Sequence, residues 1–252
     1  MKIIRYEKCG KPCYGILKGN DIEVLSGDIE SGFVKTEGKE QLSGVKLLAP
    51  TEPSKAVCVG LNYLDHIEES NEKVPESPVI FIKPSTAAIG PDAEILYPSL
   101  SKRVDYEGEL AIVIGKKATD VKEEDAEKYI LGYTCANDVT ARDLQPSDGQ
   151  WSIAKGFDSF LPLGPCIETE VDPLNLAIRT TLNGKTVQNS NTKYLLFKPA
   201  MLVSYLSSIM TLLPGDVILT GTSSGIGPME LGDTVSVIIE GIGELRNTVS
   251  KR

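Results

Sequence analysis

The sequence predicts a β-rich, mixed α/β protein with a small β-rich appendage at its N-terminus. Its apolar residues fall mainly in short runs that are rich in valine and isoleucine and end at Gly, Pro, Asn or Asp, which is typical of strands. One longer stretch, residues 198–212, carries the apolar stripe of an amphipathic helix that packs on a sheet. With 252 residues the chain can form one large core, or one domain with a small appendage.

Composition limits the classes of partner. The 35 acidic and 26 basic residues give a net charge of -9, which argues against a nucleic-acid surface or an anionic membrane and favours a small-molecule substrate. The first residues lack the apolar core of a signal peptide, and no run approaches the roughly 18 apolar residues of a membrane span, so we expect a cytoplasmic protein. Five scattered cysteines predict reduced thiols rather than a disulfide framework.

The N-terminal segment reads as strands joined by polar turns. Residues 13–17 and 22–25 flank Lys18-Gly19-Asn20-Asp21, a tetrapeptide that favours a hairpin because Gly and Asn tolerate positive φ. Residues 49–54 are polar and rich in proline, which is typical of a linker. We therefore predict a small domain over residues 1–50 and a larger domain over residues 55–252.

A first candidate catalytic pair follows the predicted strand over residues 55–60. Asn62 is a suitable N-cap for a short helix, which would place His66 and Glu69 on one face. A carboxylate that orients an imidazole is the arrangement of a general base, although a His-x-x-Glu pair is also common as a surface pair. The polar residues 70–78 predict a loop that could act as a lid.

The second candidate is a set of three carboxylates. Residues 110–114 read as a buried strand, and extending its period of two backwards places Glu107 and Glu109 on one face. Residues 130–136 read as another strand, which would deliver Asp138 at its end. Three converging carboxylates form an oxygen shell that suits Mg²⁺ or Mn²⁺. The alternative is that Glu-x-Glu is only the solvated face of an edge strand.

Two lysines lie in informative surroundings. Lys83 belongs to the predicted strand 79–84 and is either an anchor at the strand end or a site residue. Lys155 lies among aromatic and small residues and could bind a substrate oxyanion or carboxylate, or extend outward from a core. Residues 121–129 predict a solvated crossover helix without a chemical role.

The last third of the chain combines scaffold elements with one glycine-rich loop. Asn183-Gly184 between two strand-like runs predicts a hairpin with a type I′ turn, which we interpret as scaffold. The loop 220–227 could cradle a carboxylate or phosphate with its backbone N–H groups, and Thr222 could add a hydroxyl donor. Further strands are predicted at residues 217–219, 234–239 and 244–249.

Six motifs in chain order resemble the fumarylacetoacetate hydrolase family, over about residues 55 to 252. They are Gly60-Leu61-Asn62-Tyr63 with His66 and Glu69, Asp105-Tyr106-Glu107-Gly108-Glu109-Leu110, Asn137-Asp138-Val139-Thr140-Ala141-Arg142-Asp143, Lys155-Gly156-Phe157-Asp158, Pro214-Gly215-Asp216-Val217-Ile218, and Thr220-Gly221-Thr222. Because the appendage has only about 50 residues, the chain is most similar to the compact microbial isomerase, decarboxylase and acylpyruvate hydrolase members.

The resemblance implies mixed β-sheets rolled into a distorted barrel with flanking helices, usually in a homodimer. It implies Mg²⁺ or Mn²⁺ at Glu107, Glu109 and Asp138, the same residues that the strand pattern indicates. It further implies that His66 and Glu69 lie on a segment that closes over the substrate and activates water, and that Lys155 contacts substrate oxygens. Residues that match positions near the substrate are Arg142, Gln145 and Thr222.

These observations lead to one hypothesis and two alternatives. The hypothesis is a metal-dependent enzyme for small 2-oxo or β-diketo acids, which forms an enolate as a C–C bond is hydrolysed, or during isomerisation or decarboxylation. The first alternative is a non-catalytic β module in which the cation only stabilises the fold. The second is a carbohydrate-processing enzyme whose paired carboxylates act as acid and base without a metal.

Overall fold

The computed structural model describes residues 1–147 and 149–252, and strands dominate it. The strands are β1 (Lys2–Lys8), β2 (Lys11–Lys18), β3 (Asp21–Asp28), β4 (Gly32–Gln41), β5 (Lys46–Leu47), β6 (Lys55–Gly60), β7 (Val79–Pro84), β8 (Ala88–Ile89), β9 (Glu94–Tyr97), β10 (Val104–Tyr106), β11 (Gly108–Ile114), β12 (Ile130–Asn137), β13 (Thr140–Ala141), β14 (Leu161–Glu168), β15 (Ala177–Leu182), β16 (Lys185–Asn191), β17 (Val217–Thr222), β18 (Gly227–Met229), β19 (Thr234–Ile239) and β20 (Gly243–Lys251).

The helices are short. The α-helices are α1 (Leu64–Glu69), α2 (Ser152–Lys155) and α3 (Pro199–Ile209), and single 3₁₀ turns or helices cover Leu42–Gly44, Ser85–Ala87, Glu123–Tyr129, Arg142–Leu144 and Thr192–Tyr194. Pro199 begins α3 at a position where its fixed φ suits a helix and its missing N–H costs no hydrogen bond. Within residues 1–147 and 149–252, no helix has both the length and the apolar character needed to cross a membrane.

The strands form three sheets. The largest has the order β4-β3-β2-β1-β14-β12-β11-β17-β6-β7, with β5 added to β1 and β8 added to β14. A second sheet has the order β16-β15-β19-β20-β9, and a third has the order β13-β10-β18. Most neighbours are antiparallel, but β17 pairs with β6, β14 with β8 and β20 with β9 in parallel. The β-rich, mixed α/β class is therefore confirmed.

Strand β11 explains why the core lies where it does. Every residue of β11 is buried, because the strand lies between β12 and β17 and is covered on both faces. Leu110, Ile112 and Ile114 pack into one apolar cluster, which extends to α3 and the five-stranded sheet. Ala111 and Val113 point the other way, into a second cluster around Phe81 and Leu161. This two-sided burial accounts for the continuous apolar run in the sequence.

Several elements agree with the sequence pattern. The strands at 55–60, 79–84 and 234–239 are found with the predicted bounds. The predicted hairpin at Asn183-Gly184 forms, and both turn residues have the positive φ that a type I′ turn requires. The hairpin at Gly19-Asn20 also forms, between β2 and β3.

The predicted division near residues 49–54 separates segments that share one sheet. Strand β1 pairs with β14 through Ile3 and Ile167, so the N-terminal hairpins extend the largest sheet. The assignment of residues 1–50 and 55–252 to two domains stays a prediction.

Three local expectations were wrong or incomplete. Asn62 does not cap α1, whose N-cap is Tyr63; the Asn62 amide instead donates to Phe197 and Thr220 and accepts from the Phe197 N–H. The predicted crossover helix at 121–129 is a 3₁₀ helix over Glu123–Tyr129. Among the described residues the largest sheet runs from β4 to β7 as an open path, without the hydrogen-bonded closure of a barrel.

Gly108 gives a test of how closely the largest sheet approaches the five-stranded sheet. A Cβ at Gly108 would lie 2.1 Å from Thr180 Oγ1, and the region is fully buried. We expect Gly108→Ala to lower the free energy of unfolding by about 1–3 kcal/mol, the usual cost of overpacking. Urea denaturation would measure this, with Gly44→Ala as control because a Cβ at Gly44 meets no atom within 4 Å. Equal stability of the two variants would contradict the close packing.

Candidate functional site

One cavity of about 510 Å³ collects all nine residues that the sequence singled out. They are His66, Glu69, Glu107, Glu109, Asp138, Arg142, Gln145, Lys155 and Thr222. These residues come from α1, from β11 and β17, and from the loops and short helices that follow β10, β12 and β13. The structure thus brings the predicted residues together; their individual roles stay predictions.

Strand pairing explains why the three carboxylates converge. Gly108 is paired with Asn137 in the β11–β12 register, so Glu107 and Asp138 lie side by side at the end of this ladder. The Asp138 N–H donates to the Glu107 carbonyl over 2.9 Å. Glu107, Glu109 and Asp138 are all buried, and each offers an oxygen within 4.8 Å of the others. Glu107 belongs to no strand, so only Glu109 is placed by the period of β11.

Glu107 is surrounded by donors. Its carboxylate accepts from Lys155 Nζ at 2.8 Å, from the Thr140 hydroxyl at 3.2 Å and from the Arg142 guanidinium. Burial by itself would raise the pKa of Glu107, but the charges of Lys155 and Arg142 outweigh it and hold the pKa well below its usual value. Glu107 is therefore ionised and well neutralised.

Glu109 differs from its two neighbours. Its carboxylate accepts a hydrogen bond of 2.6 Å from the Gly221 N–H, and no cationic side chain among residues 1–147 and 149–252 pairs with it. Burial, reinforced by the negative charges of Asp138 and Glu107, raises the pKa of Glu109 well above its usual value. The site consequently has a deficit of positive charge at Glu109, and a divalent cation with a preference for oxygen ligands would correct it. The residues present fit such an ion.

Asp138 is held between two lysines. Its Oδ2 accepts from Lys155 Nζ at 2.6 Å, and its Oδ1 accepts from Lys83 Nζ. Lys83 is fully buried, also donates to the Val139 carbonyl at 2.9 Å, and lies behind Asp138. Burial lowers the pKa of Lys155, but Asp138 and Glu107 raise it by more, so Lys155 stays charged. Of the two sequence interpretations of Lys83, the structure therefore supports a contact within the site.

The ion pairs form one continuous chain through the site. From the cavity mouth inward, its members are Arg103, Asp105, Arg142, Glu107, Lys155, Asp138 and Lys83. Cations and anions alternate, and a cation stands at each end. The chain contains four cations and three anions, and together with the neighbouring carboxylate of Glu109 the acidic groups number four.

The predicted pair on α1 is close but not hydrogen-bonded. His66 Nδ1 lies 3.6 Å from Glu69 Oε2, beyond hydrogen-bond distance, and has no partner among the described residues. Both oxygens of Glu69 accept from the Gly225 N–H at 3.0 Å, and Asp65 accepts from the Ser224 hydroxyl at 2.9 Å. These contacts hold α1 against the glycine-rich loop, across the mouth of the cavity.

The residues predicted near the substrate are tied to the carboxylates. Arg142 donates to Gln145 at 2.5 Å and through Nε to Asp105 at 2.9 Å. Burial would lower the pKa of Arg142, yet Glu107 and Asp105 raise it further, so its charge is fixed. In the sequence, Asp105 was only a member of a motif and had no assigned role. Its role as a counter-ion could not be predicted because its partner, Arg142, lies 37 positions away.

Gln188 was missed, because its hairpin reads as scaffold. Its Oε1 accepts from the Gly108 N–H at 3.0 Å, and its Nε2 donates to Thr222 Oγ1 and to the Ser223 carbonyl, both at 2.8 Å. The Thr222 hydroxyl in turn donates to the Gly108 carbonyl at 3.1 Å. Gln188 thus joins the Glu-Gly-Glu segment to the glycine-rich loop. In this arrangement the single hydroxyl proton of Thr222 is already used.

Comparison with known protein families gives two matches. The family model described as Fumarylacetoacetate (FAA) hydrolase C-terminal matches residues 55–250, and the model described as Rv2993c-like, N-terminal, matches residues 1–50. The chain belongs to the fumarylacetoacetate hydrolase family. The family that the six motifs predicted is therefore confirmed.

Relatives within this family have several chemistries. The mitochondrial oxaloacetate tautomerase fahd2 of Xenopus laevis is 46% identical over 82% of this chain and 69% of its own length. The crystal structure of 5-carboxymethyl-2-hydroxymuconate delta-isomerase from Mycobacterium smegmatis covers 100% of both chains with 45% identity and a TM-score of 0.93. Fumarylpyruvate hydrolase from Pseudomonas aeruginosa, solved with Mn²⁺ and pyruvate, covers 80% of this chain and 91% of its own, with 36% identity and a TM-score of 0.76.

Proposed function

We propose that this protein is a divalent-metal-dependent enzyme that acts on small 2-oxo or β-diketo acids through an enolate. The observation that carries the proposal is Glu109, a buried carboxylate that has no cationic partner within residues 1–147 and 149–252 and lies beside two carboxylates that have one. Family membership supports an enzyme, and the family members described above are a tautomerase, an isomerase and a hydrolase. The acids named for the first and the last of them are 2-oxo acids.

The metal would be held by Glu107, Glu109 and Asp138, whose oxygens approach one another within 4.8 Å. When bound, Mg²⁺ or Mn²⁺ would supply Lewis-acid polarisation of the oxo and carboxylate oxygens of the acid, which favours an enolate. The Mn²⁺ in the fumarylpyruvate hydrolase structure supports the choice of ion.

The cationic residues would bind and orient the acid. Lys155 is charged and lines the cavity, so its ammonium can donate to a substrate oxygen on which negative charge develops. Arg142 and Gln145 present donors on the same wall. Thr222 can add a donor only if its hydroxyl turns away from Gly108.

His66 would move the proton. Its Nδ1 lacks a hydrogen-bond partner among the described residues, and Glu69 lies close enough to orient and stabilise a protonated ring after a small shift. In hydrolysis the imidazole takes a proton from water as the water attacks the carbonyl. In isomerisation the same group takes a proton from carbon and returns it elsewhere, and in decarboxylation the enolate is protonated without attack by water.

A second candidate is a non-catalytic metal-binding module, in which the cation only stabilises the fold. A structural cation would require the three carboxylates but neither His66 at the cavity nor a charged Lys155 facing it. The arrangement therefore favours the enzyme.

The experiment is turnover of oxaloacetate and of an acylpyruvate with Mg²⁺, Mn²⁺ or EDTA. We expect metal-dependent conversion of at least one acid and loss of conversion in EDTA. Cleavage of the acylpyruvate would establish C–C hydrolysis; conversion of oxaloacetate alone would favour tautomerisation or decarboxylation. Conversion that survives EDTA would overturn the metal dependence, and intact Mn²⁺ binding without turnover of either acid or of longer unsaturated dioic acids would favour the module.

Assembly and location follow from the family resemblance and from composition. We expect a homodimer, which multi-angle light scattering would test, and a cytoplasmic enzyme without a nucleic-acid or membrane partner. Monodisperse monomer at micromolar concentration would contradict the first expectation.

A further inference from the structure

Arg103 lines the cavity but has no place in the chemistry proposed so far. Its side chain is 51% exposed, whereas the aspartate that holds it, Asp105, is fully buried. Arg103 Nε and Nη2 donate to the two oxygens of Asp105 at 2.9 and 3.1 Å, which fixes the guanidinium plane. No side chain in residues 1–147 or 149–252 accepts from the remaining nitrogen, Nη1.

Arg142 makes Arg103 redundant as a counter-ion. The buried carboxylate of Asp105 already accepts a hydrogen bond from Nε of Arg142. The other two nitrogens of Arg142 donate to Gln145 and Glu107. All three nitrogens of Arg142 therefore donate to side chains of the protein, whereas Nη1 of Arg103 has no side-chain acceptor in residues 1–147 or 149–252. Of the two cations at the ends of the ion chain, Arg103 is half-exposed and lines the cavity, whereas Lys83 is fully buried.

The acidic residues of the cavity other than the three converging carboxylates lie on a different element. Glu69 and Glu72 line it from α1 and the segment that follows, and Glu69 is held there by the Gly225 N–H. An anionic group near them would be repelled. A ligand that places its 2-oxo end at the three carboxylates and carries a second anion is therefore directed toward Arg103.

We propose that Arg103 binds the distal carboxylate of the substrate, so that the preferred substrates are 2-oxo dicarboxylic acids rather than monocarboxylic ones. This inference rests on the proposed function, because the 2-oxo end must first be held at the metal site. A guanidinium whose plane is fixed by a buried aspartate suits paired hydrogen bonds to a carboxylate, and lysine would offer only a point charge. Arg103 is thus a specificity residue, and the proton transfers do not require it.

The experiment compares ligands that differ only in the distal group. Mn²⁺-loaded protein is titrated calorimetrically with 2-oxoglutarate and 2-oxopentanoate, and likewise with 2-oxoadipate and 2-oxohexanoate. At the chain length that reaches Arg103, we expect the diacid to bind at least about tenfold more tightly than the monoacid. Arg103→Met should remove that preference and leave the affinity for the monoacid unchanged, and Arg103→Lys should keep part of it.

The outcomes separate this inference from a structural role and from the proposed function. If Arg103 only stabilised Asp105, Arg103→Met would weaken both ligands equally or lower the melting temperature without changing their ratio. Arg246→Met, which breaks an exposed ion pair with Asp92, is the control and should leave the ratio unchanged. Equal affinities in the wild type, or a preference that survives Arg103→Met, would overturn the inference alone. If no 2-oxo acid bound, the result would contradict the proposed function and therefore also the proposed role of Arg103.

Discussion

Glu109→Gln is expected to abolish tight Mn²⁺ binding and turnover while the metal-free protein stays folded. The amide keeps the size of the side chain and an oxygen that can accept from the Gly221 N–H, but it removes the charge of the carboxylate that, among the three converging ones, has no cationic partner in the described part of the chain. Because loss of a residue that only supports a ligand already costs 10–100-fold in metal affinity, we expect loss of this ligand to cost at least about 100-fold. Electron paramagnetic resonance of free Mn²⁺ would measure it.

The melting temperature of the metal-free variant adds a second readout. Burial and two negative neighbours disfavour ionised Glu109, so the glutamine variant should melt at the same temperature as the wild type or higher. Glu124→Gln is the matched control, since that side chain is 77% exposed, and it should leave Mn²⁺ affinity unchanged. Unchanged Mn²⁺ affinity in Glu109→Gln would contradict the proposal that the three carboxylates hold the cation.

The elements that sequence predicted are those whose pattern reflects burial or local turn geometry. Strand β11 is covered on both faces, so its apolar run is continuous, and the Asn183-Gly184 turn requires positive φ at both positions. The prediction that Asn62 caps α1 was wrong because distant parts of the chain, and not the local pattern, determine the contacts of its side chain. Its amide is used by Phe197 and Thr220, 135 and 158 positions away, and these tertiary hydrogen bonds outweigh a local capping preference.

The candidate site shows the same limit. The three carboxylates were selected from the sequence because the strand pattern and the family motifs indicate the same residues, whereas Glu-x-Glu by itself also fits the solvated face of an edge strand. Their supporting residues were not assigned, because the contacts of Lys83 with Asp138 and of Gln188 with Gly108 span 55 and 80 positions. In a strand, a buried glutamine has no pattern that distinguishes it from a polar residue on the solvated face. Only the register of β16 against β15 and the packing above Gly108 give it a role.

His66→Gln is expected to lower kcat by about 10²–10⁴-fold, the usual contribution of a positioned general acid or base. Glutamine retains polar atoms of similar reach but cannot accept and return a proton. His66 is not among the three residues proposed to hold the cation, so the Mn²⁺ affinity of the variant should differ from that of the wild type by less than about twofold. Steady-state kinetics on the substrate identified by the turnover assay, together with Mn²⁺ titration, would measure both quantities.

The single histidine of this chain makes that prediction unusually direct to check. Every imidazole signal in a nitrogen-15 spectrum belongs to His66, so adding a 2-oxo acid to the Mg²⁺-loaded protein should shift those signals if the ring faces the substrate. Glu69→Gln should lower kcat less than His66→Gln, because Glu69 lies 3.6 Å from the ring and its proposed role is to orient and stabilise that ring. Loss of Mn²⁺ affinity in His66→Gln would instead indicate that the imidazole is a metal ligand. Full activity of that variant would indicate that the His66 and Glu69 pair on α1 is only a surface contact.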